Sequence, residues 1–189
     1  MAEISLFPPE FLVFVDETGF DRRINRQYGF SLKGTPAIRH AKFNPWGPRH
    51  AVVAAIALEG LLCVDIKEER VAVNADVFVD FLETHLVPAL RPFNGINSRS
   101  VVVMDNAAIH HVPEVVEVIN RAGAIVRFLP PYSPDLNPIE QAFATAKHFI
   151  RENDVVYLAT TQQKPLIMES FAQITGDLCE SYFRHSRYL

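Results

Sequence analysis

Three acidic residues occupy positions from which their carboxylates can converge. Asp16 and Asp105 each come directly after a short apolar run, FLVFV and VVVM, and Glu140 lies in the first turn of a predicted helix. If the two runs are neighbouring strands, their carboxyl ends bring the aspartates together, and the helix can present Glu140 to the same point. Such a cluster needs a counter-charge, which Mg²⁺ or Mn²⁺ can supply because these ions prefer oxygen ligands. A pair of such ions promotes phosphoryl transfer, and the pattern predicts that chemistry.

Each of these residues also has a structural interpretation. An acid directly after a strand commonly makes a turn, which applies to both aspartates. Glu140 is three residues past Asn137, where a capping box places a glutamate that bonds back to the helix cap. His110, at the predicted entrance of a helix, is a candidate general base or metal ligand, or else a capping or surface group. Residue types alone leave these alternatives open.

The first half of the chain predicts an antiparallel meander. The apolar runs at 11–15, 51–58 and 61–66 are typical of buried strands, and Glu59-Gly60 makes a turn between the last two. The second half predicts a parallel crossover. A strand at 101–104, a helix at 113–121 and a strand at 125–129 follow one another within about thirty residues.

Two helices have clear amino-terminal signals. One begins after Asn74 and is ended or kinked by Pro88. The other is capped by Asn137 and has Pro138 at its first position. Its apolar face consists of Ile139, Ala142, Phe143, Ala146 and Ile150. A final helical region is predicted at 162–183.

The basic residues are concentrated in one segment. The chain has 18 Lys and Arg against 22 Asp and Glu, a net charge of −4, but between Asp21 and His50 there are seven basic residues and one acid. The seven are Arg22, Arg23, Arg26, Lys33, Arg39, Lys42 and Arg49. A basic segment on an acidic body is what phosphate binding requires, although a solvated basic loop is an equally good interpretation.

Composition excludes several other classes of protein. The chain has 189 residues, 49% of them hydrophobic and 21% charged, which suits one globular domain. Cys63 and Cys179 are too few for a disulfide framework and lack the spacing of a structural zinc site. No signal peptide, membrane span, GxSxG elbow, phosphate-binding loop or GxGxxG fingerprint is present. We therefore expect a soluble, unexported protein.

Two motifs point to one known family. VVVMDNAAIH contains the pattern DN-x-x-x-H opening at Asp105, and LPPYSPDLNPIEQAFATAK contains PPYSP-x-LNPIE closing at Glu140, with 34 residues between the two acids. These motifs and their spacing resemble the catalytic core of the DDE transposases of the mariner superfamily, in particular its bacterial insertion-sequence branch. FVDETGF resembles the segment that carries the family's first aspartate, here Asp16. WGPRH and FRHSRYL resemble two further motifs, with His50 where a glycine is usual.

The resemblance implies an RNase H-like α/β fold, in which a mixed sheet, an antiparallel meander plus parallel strands, is flanked by helices. It implies that Asp16, Asp105 and Glu140 form the catalytic triad and bind Mg²⁺ or Mn²⁺, two ions in all. Five further residues match motif positions and are candidates for supporting roles: Glu17, Asn106, His110, Tyr132 and Asn137.

The resemblance also implies a substrate. The family cleaves DNA at transposon ends and joins the freed 3′-hydroxyl to target DNA, which requires two active sites and hence a homo-oligomer on DNA. The basic segment and Lys147 are the candidate DNA contacts. Such a protein is cytoplasmic and associated with the nucleoid, or nuclear in a eukaryote.

A full transposase of this family also has helix-turn-helix modules before its catalytic domain. Ten residues precede Phe11, so we expect residues 1–189 to form a single catalytic domain, with sequence-specific recognition supplied by another chain or a longer product. Two other functions stay open: a non-catalytic DNA- or protein-binding domain that keeps the fold, and a free-standing nuclease that acts on another nucleic acid, such as an RNA–DNA hybrid.

Overall fold

Five strands form one mixed sheet in the part of the chain that the computed structural model describes, residues 4–21, 24, 30–38 and 48–189. The strands are β1 (Leu12–Asp21), β2 (Arg49–Ala57), β3 (Gly60–Ile66), β4 (Val101–Met104) and β5 (Ile125–Phe128). Their order across the sheet is β3-β2-β1-β4-β5. β2 is antiparallel to β1 and β3, whereas β4 is parallel to β1 and β5. The predicted meander and parallel crossover are both confirmed.

β1 continues beyond residue 15, where the sequence analysis ended it. β2 pairs with β1 as far as Asp21, and Asp16 lies opposite Ala54 within the strand. The prediction that Asp16 follows the strand was therefore wrong, because β2 pairs with residues 16–21 and keeps them in the sheet. The parallel partner β4 pairs with β1 only from Leu12 to Phe14. Asp16 thus lies just past the point where the two parallel strands separate.

Six α-helices cover the two faces of the sheet in the described part of the chain. They are α1 (Ala75–Phe81), α2 (Pro113–Arg121), α3 (Ile139–Glu152), α4 (Asp154–Ala159), α5 (Lys164–Phe171) and α6 (Gly176–His185). Side chains alternate along a strand, so β1 contributes to two cores. Val13 and Val15 are buried in a cluster with residues of α1 and α2, whereas Leu12 and Phe14 are buried in a cluster with residues of α3, α5 and α6.

The helix ends follow the signals in the sequence. Asn74 caps α1, since its side-chain oxygen accepts a hydrogen bond from the backbone N–H three residues on, at 2.9 Å. α1 ends at Phe81, and the chain continues as a π-helical turn, Leu82–Leu86, and a 3₁₀ turn, Val87–Ala89, that contains Pro88. The helical path as a whole ends in that last turn, as predicted. α2 has the predicted bounds and is followed by Gly123, whose φ of +82° a larger residue adopts only with strain.

The carboxyl-terminal part of the chain is helical. All five residues of the predicted apolar face of α3 are buried. The predicted region 162–183 contains α5 and most of α6, which ends two residues later, whereas α4 was not predicted. None of the described helices is both long and apolar enough to cross a membrane.

Candidate active site

The three predicted acids line one pocket. Its volume is about 510 Å³, and Asp16 of β1, Asp105 after β4 and Glu140 of α3 all contribute to its wall. The loop between β5 and α3, residues 129–134, forms much of the remaining wall together with Asn106 and Asn137. The pocket therefore lies where β1 and β4 separate. As the sequence predicted, the three acids come together, in that all of them line this pocket.

Asp16 is the most buried of the three acids. Its side chain is buried, one carboxylate oxygen accepts a hydrogen bond from the backbone N–H of Glu17 at 2.7 Å, and the other accepts from the Asn137 side chain at 2.8 Å. Burial, followed by the charge of Glu17, raises the pKa of Asp16 to about 8, and the charges of Asp105 and Glu140 act in the same direction. The negative charge of Asp16 is therefore disfavoured in this pocket unless a cation balances it.

Asn137 does not cap α3, so that prediction was wrong. Pro138 occupies the cap position without a side-chain hydrogen bond, while Asn137 is extended and turns its amide towards Asp16. The Asn137 Nδ2 donates to Asp16, while its Oδ1, the atom that a cap would use, has no hydrogen-bond partner among the described residues. Without the cap there is no capping box, and Glu140 is left exposed at the start of α3.

Asp105 is the first residue after β4, as predicted. Its Oδ1 accepts a hydrogen bond from the backbone N–H of Ala107 at 2.9 Å, so it also makes the turn that the structural interpretation proposed. The same oxygen lies 2.7 Å from Nδ1 of His110. Asp105 therefore makes a turn and also lines the pocket, so its structural and its chemical interpretation are compatible.

His110 links two acids from different strands. It is fully buried against the ring of Phe78, and its Nε2 lies 3.1 Å from Oε2 of Glu17 while its Nδ1 faces Asp105. Burial by itself lowers the pKa of His110, but the hydrogen bond to Glu17 and the charges of Glu17, Asp105 and Asp16 outweigh burial and raise the pKa above its ordinary value. Glu17 and His110 thus lie on one side of β1, and Asp16 and Asn137 on the other.

The remaining candidates lie on the loops that border the pocket. Asn106 joins the loops after β4 and β5, because its side chain donates to the backbone oxygen of Leu129 and lies 2.9 Å from Nε2 of His111. Tyr132 is fully exposed and has a φ of +55°, which is rare for a bulky residue. Such backbone outliers concentrate at functional sites.

The oxygen-rich donor set suits a hard divalent cation. Three carboxylates border the pocket, and Oδ1 of Asn137, which is buried beside Asp16, has no hydrogen-bond partner among the described residues. In the described ranges, however, no three His, Cys, Asp or Glu side chains are close enough together to hold a metal ion. The residues present fit a cation in chemical type, although their side chains are not arranged around one.

Most of the basic segment lies outside the described residues, namely Arg22, Arg23, Arg26, Arg39 and Lys42, and so do residues 44–47 of the loop with Trp46. Lys33 and Arg49 are exposed, and the Arg49 guanidinium lies against β1 at Gly19, where a Cβ would be 3.5 Å away. Lys147 of α3 is half-buried near the ring of Phe20, and this burial lowers its pKa. Contact with DNA therefore remains a prediction for all eight basic candidates.

One residue near the site was missed. Tyr188 is buried and its hydroxyl bonds to the loop before Asn137, but the sequence analysis gave it no role. Its only signal was the similarity of FRHSRYL to a terminal motif. Nothing in the residue types of the terminus shows which loop it will contact.

The sheet order and the carboxylate pocket at the end of the parallel strands define an RNase H-like nuclease fold. The sequence profile of the DDE superfamily endonucleases matches residues 11–157, which is most of the chain. The chain therefore belongs to the DDE superfamily of endonucleases. A search of curated protein sequences found no match. The prediction of the bacterial branch stays a prediction.

Solved structures of the Mos1 mariner transposase have the same fold. The pre-cleavage Mos1 transpososome matches with a TM-score of 0.74 at 20% identity, over 96% of this chain and 54% of that chain. The catalytic domain of Mos1 matches with a TM-score of 0.60 at 15% identity, over 95% of this chain and 79% of that one. The same domain with raltegravir and Mg gives 0.59 at 15% identity, over 93% and 77%. This chain thus spans about half the length of the Mos1 chain in the transpososome.

Proposed function

We propose that this chain is the catalytic domain of a DNA transposase of the mariner superfamily. It cuts phosphodiester bonds at transposon ends and joins the freed 3′-hydroxyl to target DNA. The observation that carries the proposal is the single pocket lined by Asp16, Asp105 and Glu140 in a chain of the DDE endonuclease superfamily. Joining exchanges one phosphodiester bond for another, so this reaction needs no nucleotide cofactor.

In this proposal Asp16, Asp105 and Glu140 hold two Mg²⁺ or Mn²⁺ ions. The ions, when bound, activate the attacking oxygen and stabilise the leaving one. The raised pKa of Asp16 supports the assignment, because a divalent cation is the counter-charge that this pocket requires. Structures of the Mos1 catalytic domain with Mg and with Mn lend further support.

The chain's own polar residues orient the acids. Asn137 holds the carboxylate of Asp16 from the α3 side, and His110 ties Glu17 to Asp105 from the α1 side. The site therefore keeps two of its acids in fixed directions before DNA arrives, which is the preorganisation that an electrostatically stabilised reaction needs. Tyr132, exposed at the rim, is placed to contact the DNA as it enters.

The partners in this proposal are transposon-end DNA, target DNA and a second copy of the chain on the other transposon end. Mos1 has been solved as a transpososome, as a strand transfer complex and as a paired-end complex with a transposon end, which supports a DNA substrate. The basic segment between Asp21 and His50 and Lys147 contact the DNA backbone. Sequence-specific recognition comes from helix-turn-helix modules on another chain or on a longer product. The protein acts in the compartment that holds the DNA, which is the cytoplasm with its nucleoid, or the nucleus in a eukaryote.

The choice of substrate and product tests this proposal. The chain is incubated with Mn²⁺ and, separately, with labelled duplex DNA, an RNA–DNA hybrid and a pre-cut DNA end plus plasmid. We expect nicking of duplex DNA and joining of the pre-cut end, both lost in Asp105→Asn. Cleavage of the hybrid without joining would instead identify a free-standing nuclease. DNA binding without turnover, unchanged in Asp105→Asn, would identify a non-catalytic domain.

A further inference from the structure

The carboxyl terminus of the chain packs beneath the candidate active site. Tyr188, the penultimate residue, is buried, and its hydroxyl donates a hydrogen bond of 2.9 Å to the backbone oxygen of Leu136. Its ring lies against Phe14 of β1, with 5.0 Å between ring centroids, and against Phe183 of α6 at 6.2 Å. Tyr188 is outside the residues 11–157 that match the family profile, so the match assigns it no role.

Tyr188 contacts a residue close in sequence to each partner of the bond between Asp16 and Asn137. Its ring packs on Phe14, two residues before Asp16 on the same face of β1. Its hydroxyl bonds to Leu136, the residue directly before Asn137 and the last of the 3₁₀ turn Pro134–Leu136. One side chain thus braces the strand that carries Asp16 and the loop that carries its hydrogen-bond donor.

The hydroxyl is suited to a permanent structural bond. Burial, with a smaller effect of the charge of Asp135, raises the pKa of Tyr188 to about 12, so the hydroxyl keeps its proton at neutral pH and donates it. The carbonyl that it binds belongs to a loop rich in prolines, which offers few backbone N–H groups for ladder hydrogen bonds.

We infer that Tyr188 is a positioning residue of the proposed active site. By fixing the Leu136 carbonyl, it holds Asn137 in the place from which the amide orients the Asp16 carboxylate. This inference rests on the proposed function for its effect on catalysis, but its effect on the loop does not depend on that function.

The test compares Tyr188→Phe with a matched control, Tyr182→Phe. Each variant removes one hydroxyl from a buried tyrosine near the same end of the chain. The Tyr182 hydroxyl, however, hydrogen-bonds with Oγ1 of Thr145 at 2.6 Å, and neither residue lines the pocket. If each hydroxyl only stabilised the fold, the two variants would show the same changes in exchange and in cleavage.

The first readout needs no DNA. Hydrogen–deuterium exchange is followed by mass spectrometry in peptides that cover residues 132–140. We expect exchange in this segment to become about three- to tenfold faster in Tyr188→Phe, as the loss of one neutral hydrogen bond allows, and to stay as in the wild type in Tyr182→Phe. Equal exchange in this segment for wild type and Tyr188→Phe, or equal acceleration in both variants, would overturn the inference.

The second readout is DNA cleavage with Mn²⁺. We expect kcat to fall about three- to tenfold in Tyr188→Phe with KM unchanged, since the orientation of Asp16 matters in the reaction and not in DNA binding. Tyr182→Phe should cleave like the wild type, and equal kcat values in the two variants would overturn the role in catalysis. A wild-type chain that does not cleave would contradict the proposed function, while the exchange comparison would still decide whether Tyr188 holds the loop.

Discussion

The hydrogen bond between Asn137 and Asp16 joins β1 to the start of α3, two of the three elements that bring acids to the pocket. It is a short bond to a buried carboxylate, and the same two residues were expected to act separately, one as a helix cap and one as a metal ligand. Local sequence favours the cap, because an asparagine before Pro138 is a strong amino-terminal signal. The Asn137 side chain instead donates to Asp16, which lies 121 positions away in the sequence.

Asn137→Asp should destabilise the metal-free chain, because it replaces the amide donor by a second acid beside a buried carboxylate. We expect a loss of about 1–3 kcal/mol in the free energy of unfolding, measured by urea denaturation with a chelator present. Asn120→Asp, at an exposed position of α2, is the matched control and should lose much less. Equal losses in the two variants would show that the Asn137 amide contributes little to holding Asp16.

The repulsion among the acids also predicts an effect of metal on stability. Mg²⁺ or Mn²⁺ should raise the melting temperature of the wild type, since an ion that binds only the folded chain adds about 3 kcal/mol at a concentration of roughly 100 times its Kd. Asp105→Asn should weaken this rise, whereas Glu117→Gln, an exposed glutamate of α2, should leave it unchanged. An identical rise in Asp105→Asn and wild type would argue against Asp105 as a ligand.

At the level of elements, α1 packs against the candidate active site through His110. Its Phe78 packs on the ring of His110, with 4.5 Å between centroids, and His110 bridges Glu17 and Asp105. The position of α1 depends in part on its cap, Asn74, which bonds the backbone N–H of Val77. The stability of this short helix therefore affects how firmly His110 is held.

Asn74→Ala should lower the free energy of unfolding by about 1 kcal/mol, because one amide of the first turn of α1 loses its acceptor. Asn74→Ser, which restores a capping oxygen, should recover most of that loss. Urea unfolding followed by circular dichroism measures both variants. If the alanine variant were as stable as the serine variant, the cap would contribute nothing to α1.

The elements differ in how much of them the sequence could predict. The bounds of α2 and the buried face of α3 depend on local signals, namely Pro113, Gly123 and apolar residues at helical spacing, and the structure confirms them. The length of β1 depends on β2, which pairs with its polar end, and no local pattern reveals that partner. The bonds of Asn137 and Tyr188 are non-local in the same way. The sequence could therefore predict which acids share a pocket, but not what holds them there.

At the scale of the whole molecule, the distribution of charge matters more than its sum. The net charge is −4, yet seven of the 18 basic residues fall between Asp21 and His50. Arg49, an exposed residue of this segment, lies on β2. It lines a second pocket together with Gly19 and Glu17, and Glu17 also contacts His110. We predict that Arg49, on the Glu17 side of β1, is a contact for the DNA backbone.

DNA binding by this chain should be weak and sensitive to salt. Affinity measured by fluorescence anisotropy at several salt concentrations should fall with a slope of about 0.9 in log Kobs per phosphate contact. Arg49→Gln should reduce that slope by about one, whereas Arg121→Gln, exposed on α2, should not. A slope unchanged in Arg49→Gln would remove Arg49 from the DNA contacts.

We propose that Asp16, Asp105 and Glu140 act together as one metal-dependent site for DNA cleavage. This claim is tested most directly by the rate of Mn²⁺-dependent nicking of plasmid DNA by the wild type, Asp16→Asn, Asp105→Asn, Glu140→Gln and the control Glu117→Gln. We predict that each of the first three substitutions abolishes nicking and that the control nicks like the wild type. Glu140 is exposed and caps no helix, so the loss in Glu140→Gln cannot be attributed to folding. Nicking that persists in any of the three variants would contradict the claim.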